Sequence, residues 1–159
     1  MTRPGIRLVV GAWDDLRHDA SSIRQAVFVH EQSVPLELEY DAADAISLHA
    51  VAYDADGTPL GTGRLLPDGH IGRMAVHRHG RGLGVGGAIL DALIDEARRR
   101  GHGRLLLHAQ TRAQAFYETR GFQAEGDEFL EAGIVHVLMS LRLDDRAPDL
   151  PAEPPAGAA

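Results

Sequence analysis

The sequence predicts an α/β (α+β) domain with a mixed sheet, and three observations carry that expectation. First, the apolar runs Ser47–Tyr53, Leu60–Leu66 and Ile71–Val76 are separated by tight-turn signals, which implies an antiparallel meander. Second, the last run leads through a glycine-rich turn, Arg78–Gly87, into the strongest helix pattern of the chain. Its apolar residues Val85, Ile89, Leu90, Leu93, Ile94 and Ala97 recur with a 3.6-residue period. Third, another apolar run, Arg104–Ala109, is followed by a second helical pattern and more strand.

In chain order, Ile6–Val10 reads as the first strand. Ser22-Ile23-Arg24-Gln25 matches a capping box, so a helix is expected from there, with Ile23, Ala26, Val27 and His30 on one face, fading near Ser33 before Pro35. Glu37, Glu39, Asp41 and Asp44 make an acidic loop, which charge density alone reads as solvated surface. Asp54-Ala55-Asp56-Gly57 is a hairpin signal and Pro67-Asp68-Gly69 a further turn. His49 lies on the opposite strand face from Leu48 and Ala50, either beside a pocket or as an ordinary strand residue.

The central helix should end at Arg98-Arg99-Arg100, whose charges complement the helix dipole, with Gly101 as the left-handed stop. Arg104–Ala109 is apolar enough to predict a strand buried on both faces. Thr111-x-x-Gln114 matches a second capping box, and the helix after it should stop at Gly121. Phe122-Gln123-Ala124, a turn at Gly126-Asp127 and a last strand over Ile134–Leu143 complete the domain, assigned to residues 1–143. Residues 144–159 are rich in proline and alanine and read as a disordered tail.

Composition narrows the function. A formal net charge of −7 argues against general nucleic-acid binding, which needs a basic field, and is compatible with a cationic substrate. The chain has no cysteine, so disulfides, thiol nucleophiles and thiolate metal sites are excluded. Its nine histidines form no H-E-x-x-H pattern, and no metal site is predicted. No apolar run approaches membrane-spanning length, so a cytoplasmic protein without a membrane partner is the expectation.

The glycine-rich turn carries the chemistry. Strand, turn and helix N-terminus together present unpaired N–H groups and partial positive charge to an anion such as a pyrophosphate. No Ser, Thr, Asp or Asn lies between Gly80 and Gly87 to cap the helix from within. A P-loop would need Gly-Lys-Ser/Thr, which Gly86-Gly87-Ala88 lacks. Gly82, Gly84 and Gly87 match the dinucleotide spacing, but the downstream acids Asp91, Asp95 and Glu96 fall inside the helix. A tight turn with no ligand remains the alternative.

Arg81-x-x-Gly84-x-Gly86 resembles the acetyl-coenzyme A signature of the GNAT superfamily of N-acetyltransferases, and Leu105–Phe122 resembles the strand–helix–Gly-Phe block of that family. Arg24-x-x-Val27-Phe28-Val29-x-Glu31-Gln32 and Phe129-x-Glu131-x-Gly133-Ile134-x-His136 are similar to its ElaA-like branch. The likeness spans about residues 6 to 142. It implies a mixed, mostly antiparallel central sheet of about six to seven strands flanked by about four helices. It also implies acetyl transfer from acetyl-CoA to a primary amine of a small molecule or peptide, in an enzyme that is commonly a homodimer.

The resemblance also assigns residues. The backbone of Arg81, Gly82, Leu83, Gly84, Val85, Gly86 and Gly87 would hold the pyrophosphate, with Arg78 and Arg81 adding charge. The edge of Met74, Ala75 and Val76 would pair with the pantetheine amides, and an N–H near Val76 would polarise the thioester. Gln110, Ala113, Phe116 and Tyr117 would complete the cofactor side, Gln110 standing where many members carry asparagine. Tyr117 would protonate the leaving thiolate, or serve simply as a core aromatic. An amine with a pKa near ~10.4 must lose a proton before attack, and Glu31, Glu39, Asp41 and His108 are the candidate bases. His136 lies either on the acceptor side or in the strand as an ordinary residue. Arg24-x-x-Val27-Phe28, Glu39-x-Asp41 and Gly63-Arg64-Leu65-Leu66-Pro67 are also similar to acyl-homoserine-lactone synthases, which gives a second enzyme reading. A non-catalytic acyl-CoA sensor is a third.

Overall fold

A computed structural model of the chain describes residues 5–36 and 41–143. Seven strands form one sheet: β1 Arg7–Ala12, β2 Leu48–Tyr53, β3 Pro59–Leu65, β4 His70–Val76, β5 Arg104–Gln110, β6 Gln123–Glu131 and β7 Ile134–Arg142. Their spatial order is β1-β2-β3-β4-β5-β7-β6, and every pairing is antiparallel except β4 with β5. Among the described residues three α-helices accompany it: α1 Trp13–Arg24, α2 Val85–Arg99 and α3 Gln114–Glu118. A π-helical stretch, Gln25–Glu31, continues α1. The predicted tail and Glu39 lie outside the described residues.

The turns follow their local chemistry. The Asp54 carboxylate accepts from the N–H groups of Asp56 and Thr58, and Gly57 takes a left-handed φ of 84°, which closes the β2–β3 hairpin. At the end of α2, Gly101 has φ 85° and its N–H reaches the Arg98 carbonyl.

The two helical layers take opposite faces of the sheet. Ile89, Leu90 and Leu93 of α2 are fully buried against one face, with Ala50, Leu105, Leu107 and Met139. Trp13, Leu16, Ile23 and Val27 pack on the other face against Val51, Tyr53 and Ala75. The α1 layer reaches across β1–β4 only. On that same face no helix among the described residues covers β5–β7, and His108 is exposed between the buried Leu107 and Ala109.

Four expectations are corrected. The first helix starts at Trp13, so Ser22 and Gln25 fall within the helical run; the signal for its start is the acidic first turn, Asp14 and Asp15. Strand β5 is buried on one face: Leu105, Leu107 and Ala109 join the core on the α2 side, while Arg104 and His108 are exposed. Thr111 begins a 3-10 turn and supplies no side-chain cap to α3. Gly126-Asp127 is an irregularity within β6, between Glu125 and Phe129, and the real turn is Ala132-Gly133, both with positive φ.

This division of layers gives a stability contrast. Leu93→Ala, at a site with no exposed surface, is expected to cost about 2–5 kcal/mol. Leu130→Ala, 72% exposed on β6, should change stability by no more than about 0.5 kcal/mol. Urea denaturation of both variants checks this; equal losses would contradict the layering.

Candidate active site

Strands β4 and β5 pair at only two positions, His70 with Leu106 and Ile71 with Leu107. Beyond them the strands part. The cause is visible in β4: Arg73 and Met74 together oppose the single residue Gly63 of β3, and Arg73 takes φ 49°. A Cβ on Gly63 would stand 2.5 Å from the Met74 sulfur, so glycine there makes room for the bulge. The opening is a cleft of about 580 Å³.

The cleft joins the two faces of the sheet. Tyr117 and Ala113 reach it from the α2 side, while Asp41, Arg73, His108 and Glu131 reach it from the other. Tyr117 is 8% exposed, wedged edge-on against Phe116 and Phe122. Burial pushes its hydroxyl up to about 12, so it holds its proton at neutral pH. A groove of about 620 Å³ on the outer face of α1 is no smaller, yet it contains none of the predicted site residues.

Beyond the end of β4, the glycine-rich turn starts α2. Gly84 is the N-cap, with φ 79° and no side-chain cap, and Gly82 has φ 80°. The first amides of the helix therefore lack both an i−4 acceptor and a capping side chain. The missing side chains of Gly86 and Gly87 serve packing. The Phe116 ring lies over Gly86, and a Cβ on Gly87 would collide with the Arg120 guanidinium, which stacks on Phe116 and bonds to Asp91. Of the other cofactor-side candidates, Met74, Gln110, Ala113 and Tyr117 line the cleft. Ala75 is buried beneath α1, and Val85 in the α2 core. The Gln110 amide donates to the Gln32 side chain at 2.9 Å, which ties β5 to the end of the π-helical stretch.

The candidate bases are held very differently. Glu31 pairs with Arg81 at 2.5 Å outside the cleft lining, and Arg81 also donates to the Val76 carbonyl at 3.0 Å. The Arg81 hydrogen bond lowers the Glu31 carboxyl below its usual range. Asp41 accepts from Arg64 at 2.8 Å and from Arg73 at 3.1 Å. Hydrogen bonding to Arg64, reinforced by both charges, brings its carboxyl to about 2. Both carboxylates are stabilised as anions, which weakens them as proton acceptors. His108, in contrast, faces the Glu131 carboxylate at 2.8 Å through Nδ1.

Behind Asp41 lies a buried ionic network that sequence reading did not assemble. Asp44 accepts from Arg24 at 2.8 and 3.1 Å and from Arg64 at 2.8 Å, and all three residues are nearly inaccessible. Burial would raise the Asp44 carboxyl, but the two arginines outweigh it and the net shift is downward. His49 belongs to this network and not to the cleft. It sits under Trp13 with Nε2 2.9 Å from the Asp44 carbonyl, and burial keeps its pKa low. His136 lines the cleft, with Nδ1 2.7 Å from the Ile134 carbonyl and its ring stacked on Phe129. Among the described residues no metal-binding cluster of His, Asp or Glu forms, and no helix is long and apolar enough to span a membrane.

The chain belongs to the GNAT acetyltransferase family: the acetyltransferase (GNAT) domain profile matches residues 14–143. An uncharacterized N-acetyltransferase of Bacillus subtilis, YjcF, is 38% identical over 138 residues, covering 84% of this chain and 98% of its own. The crystal structure of an acyl-CoA N-acyltransferase from Pseudomonas aeruginosa superposes with a TM-score of 0.76 at 30% identity, over 85% of this chain and 98% of that one. Escherichia coli ElaA shares the fold, with a TM-score of 0.75 at 24% identity over 85% and 98% of the two chains. The protein is therefore an acyltransferase that uses an acyl-CoA donor and an acceptor substrate.

The ionic network makes stability depend on acid. Asp44→Asn leaves two buried guanidinium groups under-compensated and should cost about 3–5 kcal/mol. The Asp41 carboxyl lies near 2 when folded against an ordinary 3.8. Its contribution is thus complete above the ordinary value and lost as pH falls from about 4 towards 2. Denaturation from pH 6 to 2 should show this loss in the wild type and a flatter curve in Asp41→Asn.

Proposed function

We propose that the chain transfers an acetyl group from acetyl-CoA to a primary amine of a small molecule or peptide, by direct attack within a ternary complex. The observation that carries this reading is the cleft through the parted strands. It joins Tyr117 and Ala113 on one side to a histidine–carboxylate pair on the other, and the uncapped start of α2 follows beyond the end of β4, a strand that lines it.

Acetyl-CoA supplies the activated acyl group as a thioester. The first amides of α2 and the left-handed turn at Gly82 and Gly84 suit its pyrophosphate. The unpaired stretch of β4 beyond Ile71 suits the amides of its pantetheine arm, added like a strand. Arg81 would exchange Glu31 and the Val76 carbonyl for the phosphate.

His108 is the base in this scheme, because the described carboxylate candidates, Glu31 and Asp41, are held as anions by arginine. It takes one proton from the ammonium, and the neutral amine attacks the thioester carbonyl. A C–N bond forms and the C–S bond breaks. Tyr117 gives its proton to the departing thiolate and regains one from the nitrogen of the new amide, by way of solvent. A hydroxyl near 12 is a donor here and never a base at neutral pH.

The test is release of free coenzyme A thiol from acetyl-CoA across polyamines, amino acids, aminoglycosides and peptide N-termini. Release with one amine class should fall about tenfold or more in Tyr117→Phe, and about 10²-fold or more in His108→Gln, with acetyl-CoA affinity retained. Release unaffected by Tyr117→Phe would overturn the assigned acid. Tight binding without release would favour a sensor.

A further inference from the structure

We infer that Glu131, at the tip of the β6–β7 hairpin, is the positioning residue of the base: it fixes the His108 tautomer so that Nε2 is the proton-accepting nitrogen. This rests on the reading of His108 as base given above.

The juxtaposition follows from strand register. Side chains of a sheet share a face at alternate positions and across directly paired residues. His108 pairs with Leu138, Gln110 and Phe129 both pair with His136, and Glu131 pairs with Ile134. All of these therefore lie on the face that α1 leaves open. The β6 irregularity adds two residues between Glu125 and Phe129, so the alternation is unchanged and Glu131 still falls on the cleft side. Ala132 and Gly133, with φ 53° and 79°, turn the chain immediately afterwards and hold Glu131 at the rim.

The contact itself assigns the proton. An ionised carboxylate only accepts, so His108 must donate through Nδ1 to Glu131 at 2.8 Å. In the neutral imidazole Nε2 is then the nitrogen with a free lone pair. The His108 ring is held edge-on by Phe129 at 5.2 Å and by His70 at 6.1 Å, which limits its rotation. Glu131 has a second property that suits the role. Among the described residues its ion-pair partner is His108, whereas Glu31 and Asp41 are paired to arginine. Its charge is thus left to favour the imidazolium that forms when the amine gives up its proton.

Three variants of the full chain test this, with two independent readouts. Nitrogen-15 NMR of the neutral His108 side chain should give the Nδ1–H tautomer in the wild type. Glu131→Ala should convert it to the Nε2–H form, whereas Glu131→Gln, which still accepts a hydrogen bond, should keep Nδ1–H. In the thiol-release assay Glu131→Ala should lower kcat about tenfold or more, with KM for acetyl-CoA unchanged and a smaller loss in Glu131→Gln. An Nε2–H tautomer in the wild type, or an unchanged tautomer in Glu131→Ala, overturns the inference. So does a loss confined to KM. His108→Gln with full activity sinks the choice of base, and the inference with it. No thiol release by the wild type with any amine defeats the proposed reaction instead, and the NMR arm alone then decides whether Glu131 sets the tautomer.

Discussion

The rest of the site depends on one interruption of backbone hydrogen bonding. Were β4 and β5 paired along their whole length, the sheet would be a closed wall between the α1 and α2 layers. Because pairing stops after Ile71 and Leu107, a side chain rooted in one layer can share a cleft with side chains of the other. The bulge at Arg73 opens the gap, and the antiparallel pairs on either side stop it from spreading. A left-handed arginine in a strand is a costly conformation. Here it is held by ion pairing to Asp41 and by the packing of Met74 over Gly63.

A second constraint comes from charge burial. Arg24, Asp44 and Arg64 would each be expensive to bury alone, and together they offset much of that cost. The network links α1, the 3-10 turn Ala42–Ile46 and β3, and Asp41 extends it to the cleft and the β4 bulge. Asp41 and Asp44 are thereby held as anions by arginine. Their charge joins the 3-10 turn Ala42–Ile46 to α1 and β3. His108 stands apart from this network, on the open half of the face beside Glu131.

Legibility in the sequence followed the range of the interactions. The β2–β3 hairpin, α2 and its Gly101 stop depend on residues within a few positions of one another, and they read directly. Gly126-Asp127 looks like a turn by the same local logic, but long-range pairing with β7 carries the strand through it. The start of α1 was hidden because Ala12 provides no cap. Arg24 and Asp44 are 20 positions apart and His108 and Glu131 are 23 apart, so their partnership exists only once register is known. The glycine cluster was legible as a motif but not as a division of labour. Gly82 and Gly84 shape the turn, whereas Gly86 and Gly87 admit Phe116 and Arg120.

These separate supports mean that the two halves of the cleft can vary independently. One side is built from contiguous chain: β4 lines the cleft, and the glycine-rich turn and the start of α2 follow directly beyond its end. The other side is assembled from distant pieces, namely Phe28, Gln32 and Val34 beyond α1, Asp41 and the tip of the β6–β7 hairpin. Its side chains project from rims and turns where substitution disturbs little packing. A fold arranged in this way can keep one acyl donor while its acceptor changes. His108 stands on β5, the strand that borders both sides of the cleft.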